Sequence, residues 1–171
     1  MLGPVTVSPA PLSSADAAVL IARLDAELAE RYPDLEHNHF GLTPAQVRAG
    51  QGVFLIARAA SQPVGCGALR RVHRTTGEIK RMYVLPYARG TRVGRRLLSE
   101  LERHALQYGL RRLVVGTGAR QPEAIRLYER SGFTPIPCFA EHADSYARIC
   151  MAKVLIPRSN DGDGGTEPGI A

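Results

Sequence analysis

The sequence predicts a mixed α/β domain in which one sheet is layered with helices, and three observations support this fold class. Short apolar runs rich in β-branched residues alternate with amphipathic segments of helical period. One of these runs passes through a glycine-bearing loop straight into such a helix, between Glu78 and Gly94. The chain has 171 residues, of which 44% are hydrophobic, so a single domain has enough apolar material for a core.

The first third of the chain is predicted to contain a short strand, a long helix and a second, short helix. The strand is Val5 to Ser8, and Ser13 and Asp16 form the capping box of the long helix, which ends at Pro33. The short helix opens at Pro44. The long helix presents an apolar stripe that we expect to be buried: Ala17, Leu20, Ile21, Leu24, Leu28 and Tyr32.

Three strands are predicted in the middle of the chain. The first two, residues 53–59 and 64–72, form a hairpin, and Gly65 and Gly67 leave room for a close neighbour on one face of the second. The third strand starts at Glu78. Because side chains alternate along an extended chain, one face of this strand should carry Glu78, Lys80, Met82 and Val84, and the other Ile79, Arg81 and Tyr83.

The second half of the chain continues with a helix, a strand, a further helix and a final pair of strands. The first helix ends at Gly109, and its expected buried face consists of Val93, Leu97, Leu98, Leu101, Ala105 and Tyr108. Residues 113–115 form a fully apolar strand, as in a sheet that is covered on both faces. The remaining elements are a helix at residues 122–132 and two strands at residues 133–139 and 146–156.

These elements predict one domain followed by a tail. Residues 1–156 contain all the periodic segments and form the domain. Residues 157–171 are rich in glycine, aspartate and other polar residues, and they contain too little apolar material to pack. We therefore expect this tail to be disordered.

The chain carries a net charge of +6, from 22 basic and 16 acidic residues, which fits nucleic acid, a membrane surface or an anionic ligand as its partner. An anionic ligand is favoured because arginines crowd around the glycine loop, although a solvated basic face is an equal alternative. The chain has no tryptophan and no aromatic-basic run of the kind that binds RNA, so no nucleic-acid partner is expected. The clustered arginines are Arg81, Arg89, Arg92, Arg95 and Arg96.

Cysteine usage and the start of the chain predict a cytoplasmic protein with reduced thiols. The three cysteines lie far apart without a C-x-x-C pair, which disfavours a disulfide scaffold and a zinc ribbon. The first residues lack the pattern of a signal peptide, and no stretch approaches the roughly 18 apolar residues that cross a membrane. His37 and His39 have no further spaced ligands nearby, so no metal site is expected.

The glycine loop is predicted to bind an anion. A helix start presents free backbone N–H groups and the positive end of a dipole, and glycines let a phosphate approach the main chain closely. The loop lacks the Gly-Lys-Ser/Thr ending of a nucleoside-triphosphate P-loop and the GxGxxG spacing of a dinucleotide site. A different phosphate-bearing ligand is therefore expected.

Two segments resemble the motifs of one enzyme family. Residues 89–94, Arg-Gly-Thr-Arg-Val-Gly, resemble the Q/R-x-x-G-x-G/A loop of the GNAT superfamily of acetyl-CoA-dependent N-acetyltransferases, with Arg92 where the fourth position is usually glycine. Residues 121–133 resemble the family's later helix, Asn-x-x-Ala-x-x-Leu-Tyr-x-x-x-Gly-Phe, with Gln121 in place of asparagine. Their order and separation fit the family, and with the preceding strand the resemblance covers residues 78–133.

The resemblance implies both a fold and a cofactor. The fold is a mixed, mostly antiparallel sheet of about seven strands flanked by about four helices, in which the strands on either side of the loop and its helix splay apart to admit the cofactor. The cofactor is acetyl-CoA, whose pyrophosphate is held by backbone amides of the loop, and coenzyme A is a product. The residues implied in cofactor binding are Met82, Tyr83, Val84, Arg89, Gly90, Thr91, Arg92, Val93, Gly94, Arg95, Gln121 and Tyr128.

Acetyl transfer to an amine requires a base for the amine, stabilisation of charge on the thioester oxygen and a proton for the departing thiolate. The resemblance implies Glu78 as the base and Tyr128 as the acid, and it places the oxygen on a backbone N–H between Met82 and Val84, where the strand bulges. A tyrosine with a pKa of about 10 is protonated at neutral pH, which suits an acid. The alternative for Glu78 is an ordinary hydrogen-bonded glutamate of a strand, and the alternative for Tyr128 is a tyrosine of the core.

The resemblance places the acceptor between two loops, for which plain surface loops are the alternative. Their acidic and histidine residues suit a cationic amine of a small molecule or a peptide, bound by a monomer or a homodimer. A non-catalytic coenzyme A-binding or regulatory module is the alternative function. The residues nominated for the acceptor are Glu36, His37, His39, Glu141, His142 and Tyr146.

Overall fold

A computed structural model describes residues 1–34, 41–139 and 148–157 of the chain. These residues form strands, α-helices and two short 3-10 helices at Pro44–Val47 and Pro86–Ala88. The strands are β1 (Val5–Pro9), β2 (Gly52–Ala59), β3 (Gln62–Arg71), β4 (Thr76–Val84), β5 (Arg112–Gly118), β6 (Thr134–Ile136) and β7 (Arg148–Val154). The α-helices are α1 (Ala15–Arg31), α2 (Val93–Gln107) and α3 (Pro122–Arg130).

All of these strands belong to one seven-stranded sheet, in the order β1-β2-β3-β4-β5-β7-β6. The central pair, β4 and β5, is parallel, and every other neighbouring pair is antiparallel. The predicted mixed, mostly antiparallel sheet is therefore confirmed. The short helix expected from Pro44 is a single 3-10 turn of four residues, because Arg48 already returns to an extended conformation.

The sheet opens at its centre. β4 pairs with β5 only from Thr76 to Ile79, whereas β3 follows β4 up to Val84. β5 instead continues alongside β7 as far as Gly118. The later halves of β4 and β5 therefore diverge, which confirms the predicted splay. After Ile79, this edge of β4 has no described strand opposite it, so its backbone polar groups lack a strand partner there.

Helices cover both faces of the sheet and create two apolar cores. α2 packs on one face, and the residues of its predicted stripe that are fully buried are Val93, Leu97, Leu98, Leu101 and Ala105. α1 packs on the other face through Ala17, Leu20 and Leu24. The N-cap of α1 is Ser14, one residue later than predicted, and its hydroxyl accepts a hydrogen bond from the Ala17 amide at 3.2 Å.

Close approach of α2 to the sheet explains the two glycines of β3. A Cβ on Gly65 would lie 3.2 Å from the Leu97 side chain, and a Cβ on Gly67 would lie 3.1 Å from the Leu101 side chain and 2.5 Å from the Met82 sulfur. Such contacts leave no room for a larger residue at either position. The close neighbour predicted at this face is therefore confirmed.

A β-bulge at Arg81 breaks the side-chain alternation predicted for β4. The register of β3 against β4 shifts between Cys66 and Ala68, and Arg81 takes a left-handed conformation with a φ of 55°. The prediction that Ile79 and Tyr83 share a face is wrong, because the bulge places Tyr83 in the α1 core. The residues of β4 that pack in the α2 core are Ile79, Met82 and Val84.

Cys138 and Cys150 form a disulfide that joins the segment after β6 to β7. The prediction of reduced thiols is wrong for this pair, because the pairing of β6 with β7 brings together cysteines that are 12 residues apart in sequence. Cys66 is buried and free. Within the described ranges, no helix is long and apolar enough to cross a membrane. The predicted disordered tail lies, from residue 158 onward, outside the described residues.

Candidate functional site

A cavity of about 430 Å³ lies at the end of β4, beyond the point where this strand diverges from β5. Its walls come from α1, the end of β4, the glycine loop, the first turn of α2 and α3. The cavity passes through the sheet, because its lining includes Met82, which packs in the α2 core, and Tyr83, which packs in the α1 core. A bound molecule can therefore reach from the glycine loop to the α1 face of the sheet.

The glycine loop leads directly into α2, and no side chain caps the start of this helix. Gly90 has a φ of 77° and faces open space. Arg92 is the N-cap residue of α2, but its side chain makes no capping hydrogen bond, and the first turn of α2 contains no acidic residue. Since the first N–H groups of a helix have no acceptor within the helix, this end of the cavity is suited to an anion.

The backbone of Arg92 explains why glycine is usual at the fourth position of this loop. Its φ of 72° and ψ of 1° lie in the left-handed region. This region costs a residue with a Cβ roughly 1–2 kcal/mol. Arg92 therefore adopts the conformation that a glycine would take freely, and its side chain adds a cation to the cavity wall.

The end of β4 forms the wall of the cavity opposite α3. Met82 and Val84 line the cavity directly after the bulge at Arg81. Backbone N–H groups along this edge have no partner strand among the described residues, because β5 has already diverged. Donors fixed in this way stabilise an oxygen that gains negative charge during a reaction.

The hydroxyl of Tyr128 has no hydrogen-bond partner among the residues that the structure describes. Tyr128 is 3% exposed, lines the cavity and packs edge-on against Phe133, with ring centroids 5.5 Å apart. Burial raises the pKa of this phenol above its ordinary value of about 10. Buried hydroxyl groups normally have a partner. The Tyr128 hydroxyl is therefore protonated at neutral pH and available to a molecule in the cavity.

Four charged side chains form an alternating ring beside the cavity. Glu27 of α1 accepts hydrogen bonds from Arg31 and from Arg89, each at 2.6 Å. Arg31 also pairs with Glu123 of α3, whose carboxylate lies 3.8 Å from Arg89. Arg89 in addition donates to the Val84 carbonyl at 2.9 Å. This ion-pair ring of Glu27, Arg31, Glu123 and Arg89 ties α1 and α3 to the glycine loop, and it engages the Arg89 guanidinium within the protein.

Glu78 lies in the part of β4 that still pairs with β5, away from the cavity lining. It is 2% exposed, and its Oε2 accepts hydrogen bonds from Arg70 Nε at 3.0 Å and from Arg70 Nη2 at 2.8 Å. Because neighbours in a strand alternate, Glu78 lies on the face opposite Ile79, which is the α1 face. The structure thus brings Tyr128 and the glycine loop to one cavity, and Glu78 is not part of its lining.

The other predicted site residues fall into two groups. Of the residues predicted to bind the cofactor, all line the cavity except Thr91, whose hydroxyl donates to the Ala88 carbonyl. Gln121 lies at the start of α3, and its side-chain oxygen accepts a hydrogen bond from the Gly118 amide at 3.1 Å. The residues nominated for the acceptor lie outside the described residues: Glu36, His37, His39, Glu141, His142 and Tyr146. Across the described ranges, no group of three or more potential metal ligands comes together.

Sequence reasoning missed two groups of cavity residues. Leu24, Glu27 and Leu28 of α1 line the cavity, although the leucines belong to a stripe that was expected to be core. Arg126 and Arg130 of α3 also line it. The sequence could have indicated these two arginines. They are four residues apart, one on either side of Tyr128, and this spacing places both on one side of a helix.

Comparisons with known proteins agree with this architecture. The model of the acetyltransferase (GNAT) family matches residues 20–133. A relative from Azospirillum brasilense, described as an IAA acetyltransferase, is 40% identical over 143 residues, which are 82% of this chain and 92% of the relative. A solved structure from Klebsiella pneumoniae, assigned to the acyl-CoA N-acyltransferases, superposes with a TM-score of 0.75 at 32% identity and covers 89% of this chain and 98% of its own.

A more distant structure shares the fold alone. The PaiA N-acetyltransferase of Thermoplasma acidophilum, solved in complex with coenzyme A, superposes with a TM-score of 0.68 at 16% identity, over 89% of this chain and 99% of its own. Family membership depends instead on the model that spans residues 20–133 and on the Azospirillum relative at 40% identity. With the splayed sheet and the uncapped glycine loop in place, these matches make the chain a member of the acetyltransferase (GNAT) family, whose acetyl donor is acetyl-CoA.

Proposed function

We propose that the protein transfers the acetyl group of acetyl-CoA directly to an amine of a small molecule or a peptide. The observation that carries this proposal is the buried Tyr128 hydroxyl, which has no described partner and lines the same cavity as the glycine loop. The start of α2 would hold the anionic end of a phosphate-bearing thioester in this cavity, and Tyr128 would act at its reacting end.

The residues present fit acetyl-CoA, which supplies an acyl thioester when it is bound. The backbone N–H groups at the start of α2 bind its pyrophosphate, with Arg92 and Arg95 contributing cations. The N–H groups on the open edge of β4 stabilise the thioester oxygen as charge develops on it. The role of Arg89 is indirect, since its side chain belongs to the ion-pair ring.

Tyr128 acts in this proposal as the acid that gives a proton to the thiolate of coenzyme A. Its raised pKa keeps the proton in place at neutral pH. A thiolate that is partly removed from water in the cavity is a better proton acceptor, which favours this transfer.

Glu78 acts as the base that takes the proton of the incoming amine, directly or through water. Its place on the α1 face of β4 supports this role, because Tyr83 and the lining residues of α1 bring that face of the sheet to the cavity. Arg70 holds the carboxylate with two hydrogen bonds. The amine then approaches from the α1 face and the thioester from the α2 face.

A non-catalytic coenzyme A-binding or regulatory module is the second candidate, favoured by the left-handed Arg92 in the loop. A panel of amines and peptides, tested together with the IAA for which the Azospirillum relative is named, separates the two when release of the coenzyme A thiol is measured. We expect thiol release with at least one acceptor and a defined acetyl-CoA site by calorimetry. Binding without transfer to any acceptor would favour the module, and absence of binding at physiological salt would exclude both.

The proposal also covers the location, the oligomeric state and the partners of the protein. We propose a cytoplasmic monomer or homodimer that binds neither nucleic acid nor a membrane. The Cys138–Cys150 disulfide opposes the cytoplasmic part, because glutathione keeps cytosolic thiols reduced. Mass analysis of the protein after rapid alkylation in cells measures the state of this pair, and a fully bonded pair would contradict a cytoplasmic location.

A further inference from the structure

The cavity wall has more positive charge than its own carboxylates neutralise. Two described carboxylates line the cavity, Glu27 and Glu123, and both belong to the ion-pair ring with Arg31 and Arg89. The remaining arginines of the lining make no ion pair with any residue that the structure describes. These arginines are Arg92, Arg95, Arg126 and Arg130.

These four arginines come from two helices that touch. A Cβ on Gly94 of α2 would lie 3.2 Å from the Leu127 side chain of α3, so the first turn of α2 packs directly against the middle of α3. Arg95 follows Gly94 in sequence, and Arg126 precedes Leu127. Arg92 and Arg95 thus lie within and directly after the glycine loop, whereas Arg126 and Arg130 lie on α3, and all four line the cavity.

The two pairs match two separate anionic groups. The start of α2, with its free N–H groups, Arg92 and Arg95, would hold the pyrophosphate. Coenzyme A carries one further phosphate, a monoester on its ribose, with a charge of about −1.5 to −2 at pH 7. Arg126 and Arg130 lie four residues apart, so one turn of helix separates two guanidinium groups that can hold the same phosphate.

We propose that Arg126 and Arg130 form a second anion subsite, which binds the 3′-phosphate of the ribose and lets the protein select coenzyme A over its 3′-dephosphorylated form. The proposal rests on the proposed function only in placing acetyl-CoA in this cavity. Both arginines are exposed on α3, so their replacement leaves the cores intact. Recognition of the 3′-phosphate differs from a general electrostatic attraction between the arginines and the anionic cofactor. It is lost when this one phosphate is removed.

Calorimetry with coenzyme A and 3′-dephospho-coenzyme A tests the subsite without any acceptor. We expect the wild-type protein to bind coenzyme A about 10- to 100-fold more tightly than the dephosphorylated form. The double variant R126Q/R130Q should lower this preference to less than about threefold and leave the dissociation constant of the dephosphorylated form within about twofold of wild type. The control variant R103Q/R112Q removes two exposed arginines outside the cavity lining and should keep the full preference.

Three outcomes would overturn the subsite. They are equal binding of the two cofactors to the wild-type protein, equal weakening of both in R126Q/R130Q, and the same loss of preference in the control. Failure of coenzyme A itself to bind would instead overturn the proposed function. The single variants R126Q and R130Q should each lose part of the preference, since both guanidinium groups contact one phosphate.

Discussion

Glu78 and Arg70 form an ion pair inside the sheet, beside the gap between β4 and β5. The side chains are 3% and 13% exposed, so both charges are largely removed from water and each is compensated in part by the other. This pair has consequences for any test of Glu78. Removing the Glu78 carboxylate alone breaks this buried ion pair, which typically lowers the free energy of unfolding by about 3–5 kcal/mol. Activity must therefore be measured per folded molecule.

The first prediction concerns the pH dependence of Glu78→Gln. If Glu78 removes the proton of the ammonium, the variant should lose most of its rate near neutral pH and recover as rising pH frees the amine. Profiles of kcat against pH, scaled by the folded fraction from circular dichroism, measure this. The double variant E78Q/R70Q removes both charges and should show the same profile with higher stability than E78Q.

A different role for Glu78 gives a different profile. If the carboxylate only positions Arg70, then R70Q should reproduce the loss seen in E78Q. The loss should also be equal at every pH, because neither residue would exchange a proton with the amine. That pattern would assign Glu78 a positioning role and remove it as the base.

At the scale of elements, the ion-pair ring joins three segments that are distant in sequence. Glu27 belongs to α1, Arg89 to the glycine loop and Glu123 to α3, and the ring is partly shielded from solvent, with Glu27 20% exposed. Hydrogen bonds between charged groups contribute more than neutral ones. The ring therefore fixes the loop relative to both helices before the cofactor binds.

The second prediction is that Glu27→Gln lowers the free energy of unfolding by about 1–3 kcal/mol, because Arg31 and Arg89 lose their shared carboxylate. We also expect weaker binding of acetyl-CoA, since the loop loses its tie to α1. Urea unfolding and calorimetry measure the two effects. Glu100→Gln removes an exposed ion pair with Arg103 and should cost at most about 0.5 kcal/mol. Equal stabilities of the two variants would contradict the role of the ring.

Periodicity predicted most of the elements because their side chains follow one rule along the chain. The buried face of α2 was predictable, since apolar residues recur at helical spacing over its length. The faces of β4 were not, because the bulge at Arg81 depends on β3, whose Gly67 accommodates the Met82 side chain. A local pattern cannot reveal a shift that a neighbouring strand imposes.

The residues of the candidate site that belong to local sequence motifs were predictable, whereas those that meet only in the fold were not. Tyr128 and the glycine loop were identified from sequence because both motifs are local. The ion-pair ring was not, because Glu27 and Arg89 are 62 residues apart and meet only in the fold. The disulfide between Cys138 and Cys150 was missed for the same reason, since strand pairing brings the two residues together.

At the scale of the whole molecule, the open sheet separates two faces and joins them through one cavity. The α2 face carries the proposed anion site, and the α1 face carries Glu78 and the lining residues of α1. In the proposed reaction, the donor and the acceptor enter from opposite sides and meet at the gap. Tyr128 lies at the wall of that gap, so its chemistry is the central claim.

Tyr128→Phe, with Tyr108→Phe as its matched control, tests this claim most directly. Tyr128 has no described hydrogen bond to lose, whereas the Tyr108 hydroxyl donates to the Gly52 carbonyl at 3.3 Å, away from the cavity lining. We predict that Y128F keeps its melting temperature and its affinity for acetyl-CoA, while kcat falls by about 10²- to 10⁴-fold. Y108F should lose roughly 1 kcal/mol of stability and keep its kcat. An unchanged kcat in Y128F, with a lowered melting temperature, would contradict the assignment of Tyr128 as the acid.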